Sequence, residues 1–316
     1  MTRVASQNIG SRRSVAGAHA AALIVASLVL VGAAACSTSD PATCDDHSDC
    51  ASSFCRADHT CAPVEDVDAG TDGASGDTDA PIAGCVPDHD GTLTRDELVM
   101  AAGQRAKFRV ATDVTIETAG TQGAGGTRTW TYTAALAGDA DLTLTLQGPT
   151  GQWWAAKFPT ASYATRLSAD STLLGVMRLD AGGLFLLGVV SPEAGLSRTE
   201  LSYDPPVAIV PTPLAPSASW TVNSTVTGLA SGVGSFYTER YANRVDAVGT
   251  LVAPFGSFPV RRIAVDLTRT IGALVTTRRS FAFVSECYGT VATIASQDYE
   301  TGAEFTRAAE LWRLTP

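Results

Sequence analysis

Histidine, lysine and helical periodicity are what this chain has least of. Its 4 histidines are His19, His47, His59 and His89, so residues 90–316 contain none. A Ser-His-Asp or Cys-His catalytic site cannot be assembled there, nor can a histidine-ligated zinc or iron centre. Lysine occurs only at Lys107 and Lys157. No basic stripe able to neutralise phosphates is present, which argues against nucleic acid as a partner. GxSxG, Walker and dinucleotide fingerprints are absent. The glycine-rich stretch 120–126 does not stand between a strand and a helix and reads as a hairpin loop. The hydrolytic chemistry left is that of paired carboxylates, with Asp246, Asp266 and Glu286 on separate expected strands. Acids scattered among plentiful arginines are more simply ion-paired, so the chain is expected not to be an enzyme.

What is present begins at the N-terminus. A basic, acid-free start (Arg3, Arg12, Arg13) precedes the apolar run AALIVASLVLVGAAAC, which ends at Cys36. The run is about 16 residues, short of the roughly 20 needed to span a bilayer. Charged region, apolar region, small residues and then a cysteine is the order of an export signal. It resembles a bacterial lipoprotein signal, although Ala33 stands where such signals more often carry leucine. The resemblance implies a signal peptide over 1–35 and a lipidated Cys36 as first residue of the mature chain.

Cysteine arithmetic agrees. Of 7 cysteines, removing Cys36 leaves an even number suited to an oxidising compartment. Cys44, Cys50, Cys55 and Cys61 crowd a short polar stretch that cannot build a core, so disulfides must hold residues 36–61 together. The sequence does not choose among their three pairings. Its DCxSxxC core resembles small cysteine-rich modules of Dickkopf-type secreted proteins, a likeness that implies no function by itself. If the module is self-contained, Cys85 is left to pair with Cys287. Residues 62–84 hold acidic, small and polar residues with no basic or aromatic side chain, the composition of a disordered, self-repelling linker. Residues 36–84 carry a charge equal to the net −10 of the whole chain, and residues 85–316 are nearly balanced.

Residues 85–103, CVPDHDGTLTRDELVMAAG, are the most motif-like. Laid on an EF-hand loop, Gly91 takes the sharp turn, Asp88 and Asp90 the third and fifth ligand positions, Leu93 the apolar eighth and Glu97 the twelfth. Val86 falls on the first position, where an acid is required. The simpler reading is preferred: Asp90-Gly91 makes a turn, and Thr94-x-x-Glu97 is a capping box opening a short helix that ends at Gly103. No cofactor is expected, with calcium at Asp88, Asp90 and Glu97 as the alternative.

From Lys107 the pattern is that of strands. Residues 141–147, DLTLTLQ, alternate strictly. Similar runs occupy 108–118, 127–134, 173–179, 184–190, 198–203, 220–226, 236–247, 260–269, 276–287, 291–296 and 305–314. Pro205, Pro206, Pro211, Pro213 and Pro216 predict a crossing segment or an edge. Residues 184–190 are apolar on both faces, so that strand is covered on both sides or lines a cavity. About a dozen strands predict an all-β head, one large curved antiparallel sheet that curls into a half-barrel or barrel. Trp153 and Trp154, beside Phe158, are the candidate ligand-binding aromatics.

The strings PDHDGTLTRDEL, WWAAKFP, LGVVSPEAG, TELSYDPP, APFGSFPVRRI and ECYGTVATIASQD resemble a group of uncharacterised myxobacterial lipoproteins over residues 85–316. That likeness implies the domain extent and the envelope location, and no reaction. In architecture alone, an exported lipoprotein with one long curved sheet is similar to the half-barrel lipid-carrying lipoproteins of the Gram-negative envelope. The expectation is a non-enzymatic protein anchored by lipid in the cell envelope, at the outer membrane, whose head binds a hydrophobic ligand or an envelope protein. A structural or adhesive surface protein is the alternative, and a carboxylate-dependent hydrolase the second.

Overall fold

The computed structural model describes residues 85–316. The signal, Cys36, the module with Cys44, Cys50, Cys55 and Cys61, and the linker lie outside the described residues. The rest is one 14-stranded sheet. Its strands are β1 (Arg105–Thr115), β2 (Thr121–Gln122), β3 (Arg128–Thr131), β4 (Ala140–Thr145), β5 (Tyr163–Arg166), β6 (Leu174–Asp180) and β7 (Gly183–Val190). They continue as β8 (Glu200–Pro211), β9 (Ser219–Ala230), β10 (Val233–Val252), β11 (Ser257–Ile271), β12 (Leu274–Ser285), β13 (Gly289–Ser296) and β14 (Arg307–Leu314).

The strands run β4-β1-β14-β13-β12-β11-β10-β9-β8-β7-β6-β5, all antiparallel neighbours. The two ends of this path meet. Gln147, just past β4, and Ala164 in β5 exchange N–H···O bonds of 2.8 Å each way. The sheet is thereby nearly closed into a barrel, as the strand count requires of a twisted sheet this wide. The glycine-rich stretch makes the β2–β3 hairpin, and β3 adds in parallel to the far half of β10.

Alternation along β11 and β12 puts their side chains into two separate cores. Phe258, Val260 and Ala264 join Phe281 and Phe283 in one, beneath Trp130 and Tyr132. Ile263 and Val284 join the other, with Tyr163, Leu184, Val210 and the entering residues Leu93 and Leu98. β7 is likewise covered on both faces: Leu184 and Leu186 pack in the second core, Leu187 and Val190 in a third under Trp154 and Phe158.

Two expectations are corrected. Pro213 and Pro216 fall in the connection between β8 and β9, but Pro205, Pro206 and Pro211 mark neither a crossing nor an edge, because they belong to β8, which lies between β7 and β9. Its pairing with β7 jumps from Gly188↔Ser202 to Leu186↔Val207, so Pro205 and Pro206 sit in a bulge, where a missing N–H breaks no ladder bond. The Trp220 indole N–H fills in, donating to Ala208 O at 2.9 Å.

The short helix at 94–103 does not form. Half of the capping box is there: Thr94 N–H and Oγ1 donate to Glu97 Oε2 at 2.7 and 2.8 Å. Both partners of the bond that would continue the helix from Glu97 to Ala101, however, are otherwise engaged. Glu97 O accepts from Cys287 N–H at 2.9 Å, and Ala101 N–H donates to the Gln104 side chain at 2.7 Å. The segment instead makes separate turns, with Leu98 N–H donating to Arg95 O and Gln104 N–H to Ala101 O, and reaches Leu146, to whose carbonyl Gly103 N–H donates at 2.7 Å.

Phe283 has no exposed surface and meets Trp130 and Tyr132 edge-on, at 5.0 and 6.0 Å between ring centres. Phe283→Ala is expected to destabilise the head by about 3–5 kcal/mol, as large-to-small changes at buried aromatics do. Urea unfolding followed by tryptophan fluorescence measures it.

Candidate functional site

The entering segment is stapled to the barrel at the β12–β13 turn by the Cys85–Cys287 disulfide. Beyond Cys85 two Asx turns form: Asp90 N–H donates to Asp88 Oδ1 at 3.0 Å, and Thr92 N–H to Asp90 Oδ1 at 2.6 Å. Gly91, at φ +88°, is the left-handed residue of the second turn. Leu93 then pairs with Leu214 through N–H···O bonds of 3.0 and 2.8 Å. This geometry carries Glu97 inward.

Of the three acids singled out in the sequence, Asp88 and Glu97 are brought together and Asp90 is not part of their group. The third member is Glu286. One carboxylate oxygen from each of Asp88, Glu97 and Glu286 lies within 4.8 Å of the others. Glu97 and Glu286 are buried, whereas Asp88 is exposed. Arg261, also buried, donates from Nη2 to Glu286 Oε1 at 3.0 Å and from Nε to Gly91 O at 3.3 Å. The His89 backbone N–H donates to Glu286 Oε2 at 3.1 Å. No local spacing could have revealed Glu286 as a neighbour of this loop. The one signal was its place beside Cys287, the half-cystine left for Cys85.

The other sequence candidates have structural partners. Asp246 pairs with Arg262, Asp266 with Arg244 and Arg279, and Glu286 with Arg261. Trp154 is fully buried in the third core. Trp153 is half-buried; its indole N–H donates to Ser191 O at 3.2 Å, and the Arg198 guanidinium lies 5.7 Å from its ring. Both indoles are used in packing.

A surface feature escaped the strand-by-strand reading. Among the described residues, eight of the nine exposed large apolar side chains lie at one pole of the barrel: Leu167, Leu196, Val233, Phe236, Ile271, Leu274, Val275 and Tyr299. They come from the successive connections β5–β6, β7–β8, β9–β10, β11–β12 and β13–β14 and from the strand ends beside them. Leu196 is 95% exposed, Phe236 70% and Val233 69%. Neighbouring tips touch: a Cβ on Gly232 would lie 2.3 Å from Leu196 O, and Tyr299 N–H donates to Thr277 O at 2.7 Å. The ninth, Val86, lies beside Cys85 at the opposite pole.

The ion cluster around Arg262 serves the fold. Arg262, 1% exposed, holds Asp246 at 2.9 and 2.8 Å, Glu304 at 2.6 and 3.1 Å and Thr118 O at 2.6 Å. Burial alone would raise the Glu304 pKa. Hydrogen bonds from Arg262 and Thr118 and the charges of Arg262 and Arg128 outweigh it and hold the carboxyl below its ordinary value. A depressed carboxyl contributes stability above its unfolded pKa and loses it as pH falls through the folded one. Glu304→Gln is therefore expected to flatten the fall of melting temperature between about pH 5 and pH 3, measured by calorimetry against the parent chain.

No protein-family model, curated protein or solved structure matches this chain, so what it does rests on its own residues.

Proposed function

We propose that this chain is a lipid-anchored protein of the cell envelope, at the outer membrane, and that its head acts without catalysis by docking its apolar pole on an envelope protein. The anchor is Cys36, at the end of a basic-then-apolar leader. The observation that carries the docking reading is the gathering of exposed apolar side chains at one pole. Apolar residues scattered singly over a surface mean little, but a group confined to one face has the character of a contact site. Aromatic and aliphatic side chains of this size are the usual anchors of protein interfaces.

A partner suits this head better than an enclosed hydrophobic ligand. Three cores fill both faces of the sheet where its strands are covered. Two depressions, of about 640 and 340 Å³, are open and lined largely by polar side chains such as Asp113, Arg307, Asn243 and Arg244. The pole lies at the end of the barrel opposite Cys85.

Two outcomes check this reading. Cys36→Ser should move the protein from the membrane fraction to the soluble one and abolish labelling by a fatty acid; a chain that stays on the membrane defeats the anchor. A photo-crosslinking residue placed at Phe236 in the native host should give a discrete protein adduct, while the same probe at Arg240, farther down β10, gives none. Phe236→Ser with Leu274→Ser should remove the partner without changing stability beyond about 0.5 kcal/mol per site, as is usual for exposed positions. Crosslinks to lipid alone, or equal crosslinking from both probes, would rule out the docking assignment.

A further inference from the structure

The loop after Cys85 contains a buried charged oxygen without a partner. Glu97 is 4% exposed. Its Oε2 takes both hydrogen bonds from Thr94, whereas Oε1 has none. Leaving a buried carboxylate oxygen unpaired is costly, because it has lost water and gained nothing. Yet the same carboxylate stands beside two others, with one oxygen each from Asp88, Glu97 and Glu286 inside 4.8 Å.

We propose that Asp88, Glu97 and Glu286 hold a calcium ion, with Glu97 Oε1 as its innermost ligand. Calcium binds oxygens at about 2.3–2.6 Å, so two oxygens on one ion lie no more than about 5 Å apart, and all three satisfy that limit. The charges agree as well. Three carboxylates face one guanidinium, Arg261, leaving a deficit that a divalent cation neutralises. His89 also faces the site, its Nδ1 3.4 Å from Glu286 Oε2. Carboxylate oxygens select hard cations over zinc or copper. An irregular site completed by water suits calcium, with its six to eight flexible ligands, better than magnesium with its strict octahedron.

This site differs from the one the sequence spacing offered. Val86 occupies the first ligand position of the loop and offers no side-chain oxygen. The missing acid comes from the β12–β13 turn, so two of the three ligands belong to the loop and one to the barrel. Asp90 is left to hold the Asx turn through Thr92. Ligands so far apart in the chain converge only in the folded head, and the ion must therefore stabilise the folded state as it binds.

The test uses the full chain in detergent, stripped with EGTA and titrated with calcium chloride by isothermal calorimetry, with melting temperature read in parallel. The expected result is one Asp88-dependent ion, with a Kd of about 0.1–1 mM as in extracellular calcium modules, and a melting temperature several degrees higher at 5 mM calcium. Magnesium at the same concentration should give less than half that rise. Asp88→Asn should weaken binding at least tenfold without altering the melting temperature in EGTA, because Asp88 is exposed and its replacement keeps the turn. Glu97→Gln should abolish binding; if that variant misfolds, Asp88→Asn still decides. A folded chain that takes up no calcium overturns the proposal. So does calcium uptake that Asp88→Asn leaves untouched, which would place the ion among the acids of residues 36–84, and so does zinc binding tighter than calcium.

Discussion

A wide sheet arranged in one continuous path has only two edges, and here a reciprocal pair of hydrogen bonds between Gln147 and Ala164 joins them. Open edges invite pairing with other chains. Closure removes that hazard and fixes the curvature to which the cores are fitted. The long strands β10, β11 and β12 need cover on both faces because they run through both halves of the barrel wall. β3, the arm around Trp130 and the segment around Leu93 supply that cover. If the edges parted, these coverings would have no wall of fixed shape to lie against.

Arginine fastens the coverings. Arg261 holds the loop at Gly91, Arg262 holds Thr118 and Glu304, and Arg313 holds Ala134 and Asp139. Each is buried, and each binds an acid and a backbone carbonyl at once, which the forked guanidinium allows and an ammonium does less well. The scarcity of lysine beside plentiful arginine thus has a structural reason. A buried ion pair is poor evidence of net stability. What these pairs provide is placement, setting each irregular segment at one point on the wall.

The strands were legible because their alternation is local. Leu142 and Leu144 fall on one face wherever β4 lies, and the two-sided burial of β7 follows from its unbroken apolar run. Two readings went astray where a distant group competed with a local preference. Thr94 and Glu97 form their half of a capping box, but the helix is lost to Cys287 N–H, almost the whole domain away in sequence. Pro205 and Pro206 do interrupt hydrogen bonding, yet a bulge opposite Leu187 absorbs them inside the sheet. The acidic cluster was half legible for the same reason: Asp88 and Glu97 lie in one loop, while Glu286 arrives through tertiary folding. The apolar pole was invisible, since each member looks like an ordinary residue of a hairpin and only barrel closure brings the hairpin tips to one end.

The position of the disulfide has a mechanical side. Cys85 is bonded to the turn between β12 and β13, at the pole opposite the apolar tips. Tension applied between the entering chain and those tips crosses the sulfur bridge and runs lengthwise along the strands. Interstrand hydrogen bonds lie perpendicular to that direction, so they share the load together instead of parting one after another. Pulled in this way, the barrel resists shear along the whole length of its wall.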